Sequence, residues 1–256
     1  MPDLVIPTSD APVTPEQYRY VAVDAWWLGS FGPFQHLTEH RLRQWVPVQP
    51  ERDWLLERSL TGRQKWLTGS LEEAADLGFA PEGVAPVGIF RAPWGEFHKE
   101  SDDDCLPPAQ RRRGSWQVPT PEFFTRLPRD DDAMVTRLLD DHPGRWTQPF
   151  SSAVDALRTC TVPADLRRVL YGALVKLPDV TWHDDVEIDG RACVTIVHEG
   201  SRTRTELHVD AVDGQFAGER DTVRPGNRLG LASGTLIAET TVHCAVVDDL
   251  GLLPGY

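Results

Sequence analysis

Residues Pro163 to Arg220 constrain the fold more than any other stretch of this 256-residue chain, because an amphipathic helix runs there straight into strands punctuated by two Asp-Gly turns. Leu166, Val169, Leu170, Ala173, Leu174 and Leu177 recur at helical spacing and so line one face, with Arg167, Arg168 and Lys176 mostly off that stripe. Pro163 sits in the first turn, where a missing N–H costs nothing. Asp165 suits the positive end of the helix dipole, and Pro178 stops the helix. The period then changes. Val180, Trp182, Val186 and Ile188 alternate with polar residues as a half-buried strand requires. Asp189-Gly190 supplies the positive φ angles of a tight hairpin, and Cys193 to Val197 returns from it. Gly200-Ser201 turns again, Leu207 and Val209 mark a third strand, and Asp213-Gly214 leads into Gln215 to Asp221. The pattern predicts a meandering antiparallel sheet with a helix packed on it.

The remaining segments complete a sheet–helices–sheet order. Residues 1–13 are rich in Pro and Asp and lack periodicity, which predicts a disordered tail or tether ahead of a single domain over 14–256. Strands occupy 17–68: Tyr18, Tyr20 and Ala22 alternate into Trp26-Trp27, and Gly29 to Pro33 break the run. Leu42 to Val48, Asp53 to Arg58 and Lys65 to Thr68 read as three further strands joined by Pro-Glu-Arg and Thr-Gly turns. Residues 70–119 read as an irregular excursion. Helices fill 120–177, with start signals at Thr120-Pro121-Glu122 and Asp130-Asp131-Asp132, a third helix over Phe150 to Arg158, and the Pro163 helix as the fourth. Strands return over 179–249. This order predicts an α+β fold with one antiparallel sheet built from both ends of the chain and covered by a central block of about four helices.

Charge and apolar patterning exclude whole classes of function. A net charge of −13 makes nucleic acid a poor partner, and the one basic run, Arg111 to Arg113, closely follows Asp102 to Asp104. No apolar run approaches the roughly 20 residues of a membrane helix. Met1 to Pro7 lacks the basic start and apolar core of a signal peptide, so a chain truly starting at Met1 is expected in the cytoplasm. No motif asks for a cofactor. Cys105, Cys160, Cys193 and Cys244 are spaced too widely for a zinc site built on paired cysteines. Two readings of them stand side by side: buried thiols, or a structural disulfide of the kind exported domains carry.

Chemistry-bearing motifs are few, and none forms a catalytic constellation. His36-Leu37-Thr38-Glu39-His40 matches the H-x-x-E-H pattern of inverted zincins, in which both histidines share a helical face and the glutamate acts as base. It is the only candidate for the alternative of a soluble hydrolase, and the glycine-rich run before it and the strand after it leave little room for a helix. Ser233, in Gly230 to Gly234, has the wrong spacing for a nucleophile elbow and reads as a hairpin loop. The acidic runs 102–104 and 130–132 lack the alternation of a calcium loop. Trp26, Trp27, Trp45, Trp54 and Trp66 fall on successive strands, where neighbours on a face can line a groove for a lipophilic or peptide ligand.

At Gly114 to Phe123, Leu127 to Asp130, Leu170 to Val180, Asp189 to Arg191 and Asp213 to Arg220, the chain resembles the exported C-terminal domains of a family of membrane-anchored actinobacterial proteins of unknown function, often encoded beside sigma-factor genes. The resemblance spans about Tyr18 to Asp249. It implies an extracytoplasmic domain, tethered by an anchor absent from this chain, with a sensing or partner-binding role and no established enzyme activity. Together with the tryptophan strands this gives a non-enzymatic sensor or binding domain that engages a partner protein or a lipophilic ligand and is linked to a membrane-associated, sigma-factor regulatory system. The segment order is also similar to lipoprotein-carrier and RseB-type folds, which implies a strongly curved sheet, an open half-barrel, wrapping helices around a cavity. A structural interaction protein with no small ligand is a third reading.

Overall fold

The computed structural model describes residues 4–80, 85–97, 107–143 and 148–255. Among these residues nine strands occur in the order β1 (Tyr18–Phe31), β2 (Phe34–Pro47), β3 (Asp53–Thr68), β4 (Gly88–Pro93), β5 (Val180–Ile188), β6 (Arg191–Glu199), β7 (Thr203–Asp210), β8 (Phe216–Val223) and β9 (Leu236–Val247). They form one antiparallel sheet in the spatial order β4-β3-β2-β1-β9-β8-β7-β6-β5, open at its ends. The first and last strands meet at its centre: β1 pairs β9 from Tyr18↔Val247 to Trp27↔Ala238. Both ends of the chain do build the sheet. The Asp-Gly hairpin also forms as expected, with φ of 49° at Asp189 and 74° at Gly190.

Six helices accompany the sheet among the described residues, four of them (α3–α6) in the block 120–177: α1 (Leu71–Asp76), α2 (Pro108–Arg113), α3 (Pro121–Thr125), α4 (Asp131–Asp140), α5 (Gln148–Arg158) and α6 (Ala164–Leu174). The additional two, and the edge strand β4, lie in 70–119, so that segment is only partly irregular. The start signals work as capping chemistry requires. The Thr120 hydroxyl accepts from the Phe123 N–H at 3.1 Å, and Asp130 accepts from the N–H groups of Asp132 and Ala133. Helices α3–α6 bury Phe124, Met134, Leu138, Leu157, Leu166, Leu170 and Leu174 against one sheet face, to which β1, β6, β7, β8 and β9 contribute Val21, Ile196, Leu207, Phe216 and Val242. A smaller core on the opposite face joins Tyr18, Tyr20, Trp45 and Val247, with the Trp45 indole N–H donating to the Leu252 carbonyl at 2.6 Å.

Three sequence expectations need correction. Residues 36–40 lie within β2, and β1 and β2 form one long hairpin that turns at Gly32 (φ 56°). Thr61-Gly62 is not a turn between two strands: β3 runs unbroken through it, and the β2–β3 register shifts between Thr38 and His40 while Gly62 adopts φ 82°. A bulge absorbs what looked like a chain reversal. The third correction concerns the start of the chain. Residues 4–13 have no regular structure, yet they are an ordered strap, with Ile6 4% exposed.

Arg167 is what orders the strap. It was expected off the buried stripe of α6, but it is 2% exposed. Its guanidinium donates to the carbonyls of Gly214, Val162, Ser9 and Asp213 and to the Asp10 carboxylate, the last at 2.6 Å. Asp10 also accepts from the Ala164 N–H at 2.7 Å, which places its charge at the start of α6. Ser9 N–H donates to Asp213 at 2.9 Å, and the Tyr171 hydroxyl donates to Gly214 at 2.8 Å. The Asp213-Gly214 turn, the strap and α6 are thereby one hydrogen-bonded unit. Gly214 (φ 66°) has no alternative there, because a Cβ on it would lie 2.5 Å from the Pro7 carbonyl.

Candidate ligand-binding cleft

The strap forms one wall of a cleft of about 490 Å³ between the sheet and the helices. Ala11, Pro12 and Val13 come from the strap; Val46, Pro47, Val48, Pro50 and Trp54 from the end of β2 and the start of β3; Pro119, Pro121 and Phe124 from α3 and its approach; and Thr161 and Pro163 from the turn before α6. Six of the lining residues are prolines. A proline has a fixed φ and no N–H, so this wall is stiff and offers few backbone donors to a ligand. The volume lies within the roughly 300–1,000 Å³ of small-molecule pockets, and the lining is of the apolar kind such pockets favour.

The charged groups at the cleft are Asp10, Arg19 and Arg129. Burial would raise the Asp10 carboxyl, but hydrogen bonds from Arg167 and the Ala164 N–H outweigh it and hold Asp10 below the usual carboxylate range. Arg129 pairs with Asp165 at 3.5 Å in an exposed position. Arg19 differs from both. Its guanidinium makes no hydrogen bond or ion pair with a described residue, and burial lowers its pKa despite the field of Asp10.

A disulfide holds the far side. Cys160, in the left-handed conformation (φ 55°) just after α5, is bonded to Cys244 of β9. Thr161 and Pro163 follow it directly into the cleft wall. Of the two readings of the cysteines, the structure realises the disulfide for this pair, while Cys193 is a buried free thiol whose pKa burial raises. Cys105 lies outside the described residues.

The five tryptophans do not share a groove. Paired residues in a register point to the same face, so Tyr20↔Trp45 and Trp26↔Glu39 put Trp45 and Trp26 on the face away from the helices, whereas Trp27↔Thr38 and His36↔Trp66 put Trp27 and Trp66 on the other. Trp45 is core beneath the C-terminal segment, and Trp26 lies under Lys65, 4.0 Å from its ring centroid. Trp66 packs with Phe34, His36 and Phe79, and Trp27 with His40. Trp54 alone reaches the cleft, its indole donating to the Pro50 carbonyl at 3.2 Å.

His36, Glu39 and His40 are not arranged as a zincin. Four residues along a strand separate His36 and His40 by roughly 13 Å at ~3.3 Å per residue, too far to share one metal. Glu39 points to the opposite face, where it accepts from Arg63 and Thr61. Among the described residues no group of three His, Cys, Asp or Glu side chains is placed to hold a metal ion. Both histidines are instead buried with aromatic rings. Burial lowers the His36 pKa, and burial together with Arg58 lowers His40 to about 4. Ser233 lies in the β8–β9 connection beside Gly234 (φ 86°), and Asp130 to Asp132 open α4. Asp102 to Asp104 lie outside the described residues.

Sequence reasoning missed the cleft because its lining comes from loops and element ends. The signal was present as prolines at 12, 47, 50, 119, 121 and 163, which read locally as unrelated tail, strand-end, turn, loop and helix-start residues. Comparison with protein-family models, curated proteins and solved structures finds no match for the chain.

Proposed function

We propose that this chain is a binding domain, not an enzyme, and that its cleft receives a lipophilic ligand. The observation that carries the reading is the proline-walled apolar cleft of about 490 Å³ between strap, sheet and helices. The binding face therefore moves from the tryptophan strands to the cleft, where Trp54 remains as a reporter. The open antiparallel sheet with helices on one face supports the finer description of a half-barrel of the lipoprotein-carrier type. An extracytoplasmic site of action, tethered to the membrane and linked to sigma-factor regulation, is supported by the family resemblance and by the Cys160–Cys244 disulfide, since such bonds persist in oxidising compartments. No helix among the described residues is long and apolar enough to cross a membrane, so in this reading any tether lies outside them.

The test is a homologous series of neutral amphiphiles. Each buried methylene contributes about 0.8 kcal/mol, and about 1.4 kcal/mol is a tenfold change in affinity. Binding of hexanol, octanol and decanol, followed by Trp54 fluorescence and calorimetry, is expected to tighten roughly tenfold for each two added carbons. A Trp54→Phe variant should lose the optical change and keep the calorimetric one. Affinity independent of chain length, or no binding of any member, would refute the proposal.

A further inference from the structure

The cleft carries a surplus positive charge, and that surplus says what kind of ligand fits it. Asp10 and Arg19 line the cleft, and Arg167 stands behind Asp10. Asp10 and Arg167 form their own pair at 2.6 Å, and Asp10 also accepts from the Ala164 N–H at 2.7 Å and from the Gln215 side-chain amide at 3.5 Å. Arg167 is satisfied in turn by four backbone carbonyls. Arg19 is the third group. It stands on β1 opposite Val46 and Val246, and it is half-buried. The fields that act on it come from Asp10, which favours its charge, and Arg167, which opposes it, while burial opposes it most. Asp10 is the carboxylate whose field reaches Arg19, and it is already paired with Arg167, so among the described residues the Arg19 charge has no ion-pair partner, in a chain whose net charge is −13.

The Arg19 guanidinium, half-buried and with neither hydrogen bond nor ion pair to a described residue, is left with solvent, and burial weakens that solvation. The geometry supplies what it lacks. Arg19 lines both the main cleft and a smaller recess of about 80 Å³, and the two spaces share Ala11 and Arg19. The main cleft adds the proline wall, and the recess adds the Cys160–Cys244 pair, Ala245 and Val246 together with Gln215 and the acidic Asp213.

Resting on the binding function proposed above, we infer that the ligand is a single-chain anionic amphiphile, its tail along the proline wall and its head group on the Arg19 guanidinium. A planar guanidinium matches a carboxylate or a phosphate through paired N–H donors, so head groups of either chemistry fit. Free fatty acids and lysophospholipids both present them.

The experiment compares decanoate, decanol and lysophosphatidylglycerol, each below its micellar concentration, against the wild type and the Arg19→Gln and Arg19→Lys variants by calorimetry at neutral pH and low salt. Because Arg19 holds no other side chain in place, both variants should melt within a few degrees of the wild type. The wild type is expected to bind decanoate about tenfold or more tighter than decanol, as a charge-assisted pair predicts. Arg19→Gln should erase that preference and leave decanol affinity unchanged, while Arg19→Lys should keep part of it. Preference for lysophosphatidylglycerol over decanoate would assign the head group to a lipid phosphate, and the reverse would assign it to a free carboxylate. Either result supports Arg19 as the head-group residue. Equal affinity for decanoate and decanol in the wild type, or a preference that survives Arg19→Gln, would overturn the inference while leaving the cleft as a neutral lipophilic site. Failure of decanol and decanoate alike would instead overturn the binding function on which it rests.

Discussion

Removing the Cys160–Cys244 bond is the most direct test of how the cleft is held together. The two cysteines are 84 residues apart in sequence, so the bond closes a long loop that includes α6 and strands β5–β8. In the chain-entropy treatment a loop of this length loses about 15 cal/mol/K in the unfolded state, or about 4.6 kcal/mol at room temperature. Native disulfides typically deliver about 2–4 kcal/mol, so a loss of about 3–4 kcal/mol is expected from a Cys160→Ala/Cys244→Ala double variant. Alanine is preferred over serine because Cys160 is 3% exposed and a hydroxyl there would lack a partner. Guanidinium unfolding of the oxidised wild type, the reduced wild type and the double variant measures the effect. The reduced wild type should resemble the variant, and the variant should ignore reductant. Thiol titration of denatured, unreduced protein should leave at least two of the four cysteines silent. Cleft affinity should fall with stability, since Thr161 and Pro163 lose the anchor just before them. Oxidised wild type and double variant unfolding within about 0.5 kcal/mol of each other would refute the reasoning, as would four reactive thiols.

Two further outcomes follow from the same structure. Arg167→Met removes the donors that hold Ser9, Asp10, Val162, Asp213 and Gly214, and breaking a buried pair of this kind costs on the order of 3–5 kcal/mol. Hydrogen exchange should show 4–13 released in that variant, and a loss under about 1 kcal/mol with an unchanged strap would disprove its role. The histidines make stability depend on pH. Burial holds His36, His40, His198 and His208 below their unfolded value, His40 at about 4, so their contribution is complete above about pH 6.5 and is lost as pH falls from there toward 4. After allowance for solvent screening, His40 accounts for about 2 kcal/mol of that loss. A His40→Gln variant should flatten this part of the pH–stability curve, and an unchanged curve would count against it.

The local grammar of the chain was legible from residues alone. Asp189-Gly190 makes a hairpin because it readily adopts the two positive φ angles of a type I′ turn, and Thr120-Pro121 and Asp130 start helices because a side-chain oxygen satisfies the first free N–H groups. The alternation across 179–249 and the helical stripe at 166–177 follow in the same way, since both periods are properties of neighbouring residues. Two failures were of a different kind. Strand character around the five tryptophans is legible, but Trp54 and Trp66 share the single strand β3, and which face each tryptophan takes depends on cross-strand register, which the bulge near Thr38 and His40 resets. Arg167 has the side chain of a surface residue and the position of a buried one, because its partners are carbonyls brought from residues 9, 162, 213 and 214.

What the sequence by itself determined is therefore a set of well-capped helices and paired strands in a known order, together with the charge balance that disfavours nucleic acid. The tertiary structure alone decided that residues 4–13 are a strap, that Cys160 meets Cys244, and that six prolines scattered over 150 residues face one another across a cleft. The physical reason is one of range. Caps, turns and periodicity act over a few residues and are written in them, whereas a cavity wall and a surplus charge arise only where distant segments meet. Arg19 is an ordinary strand residue until Asp10 and Arg167 close their own pair beside it.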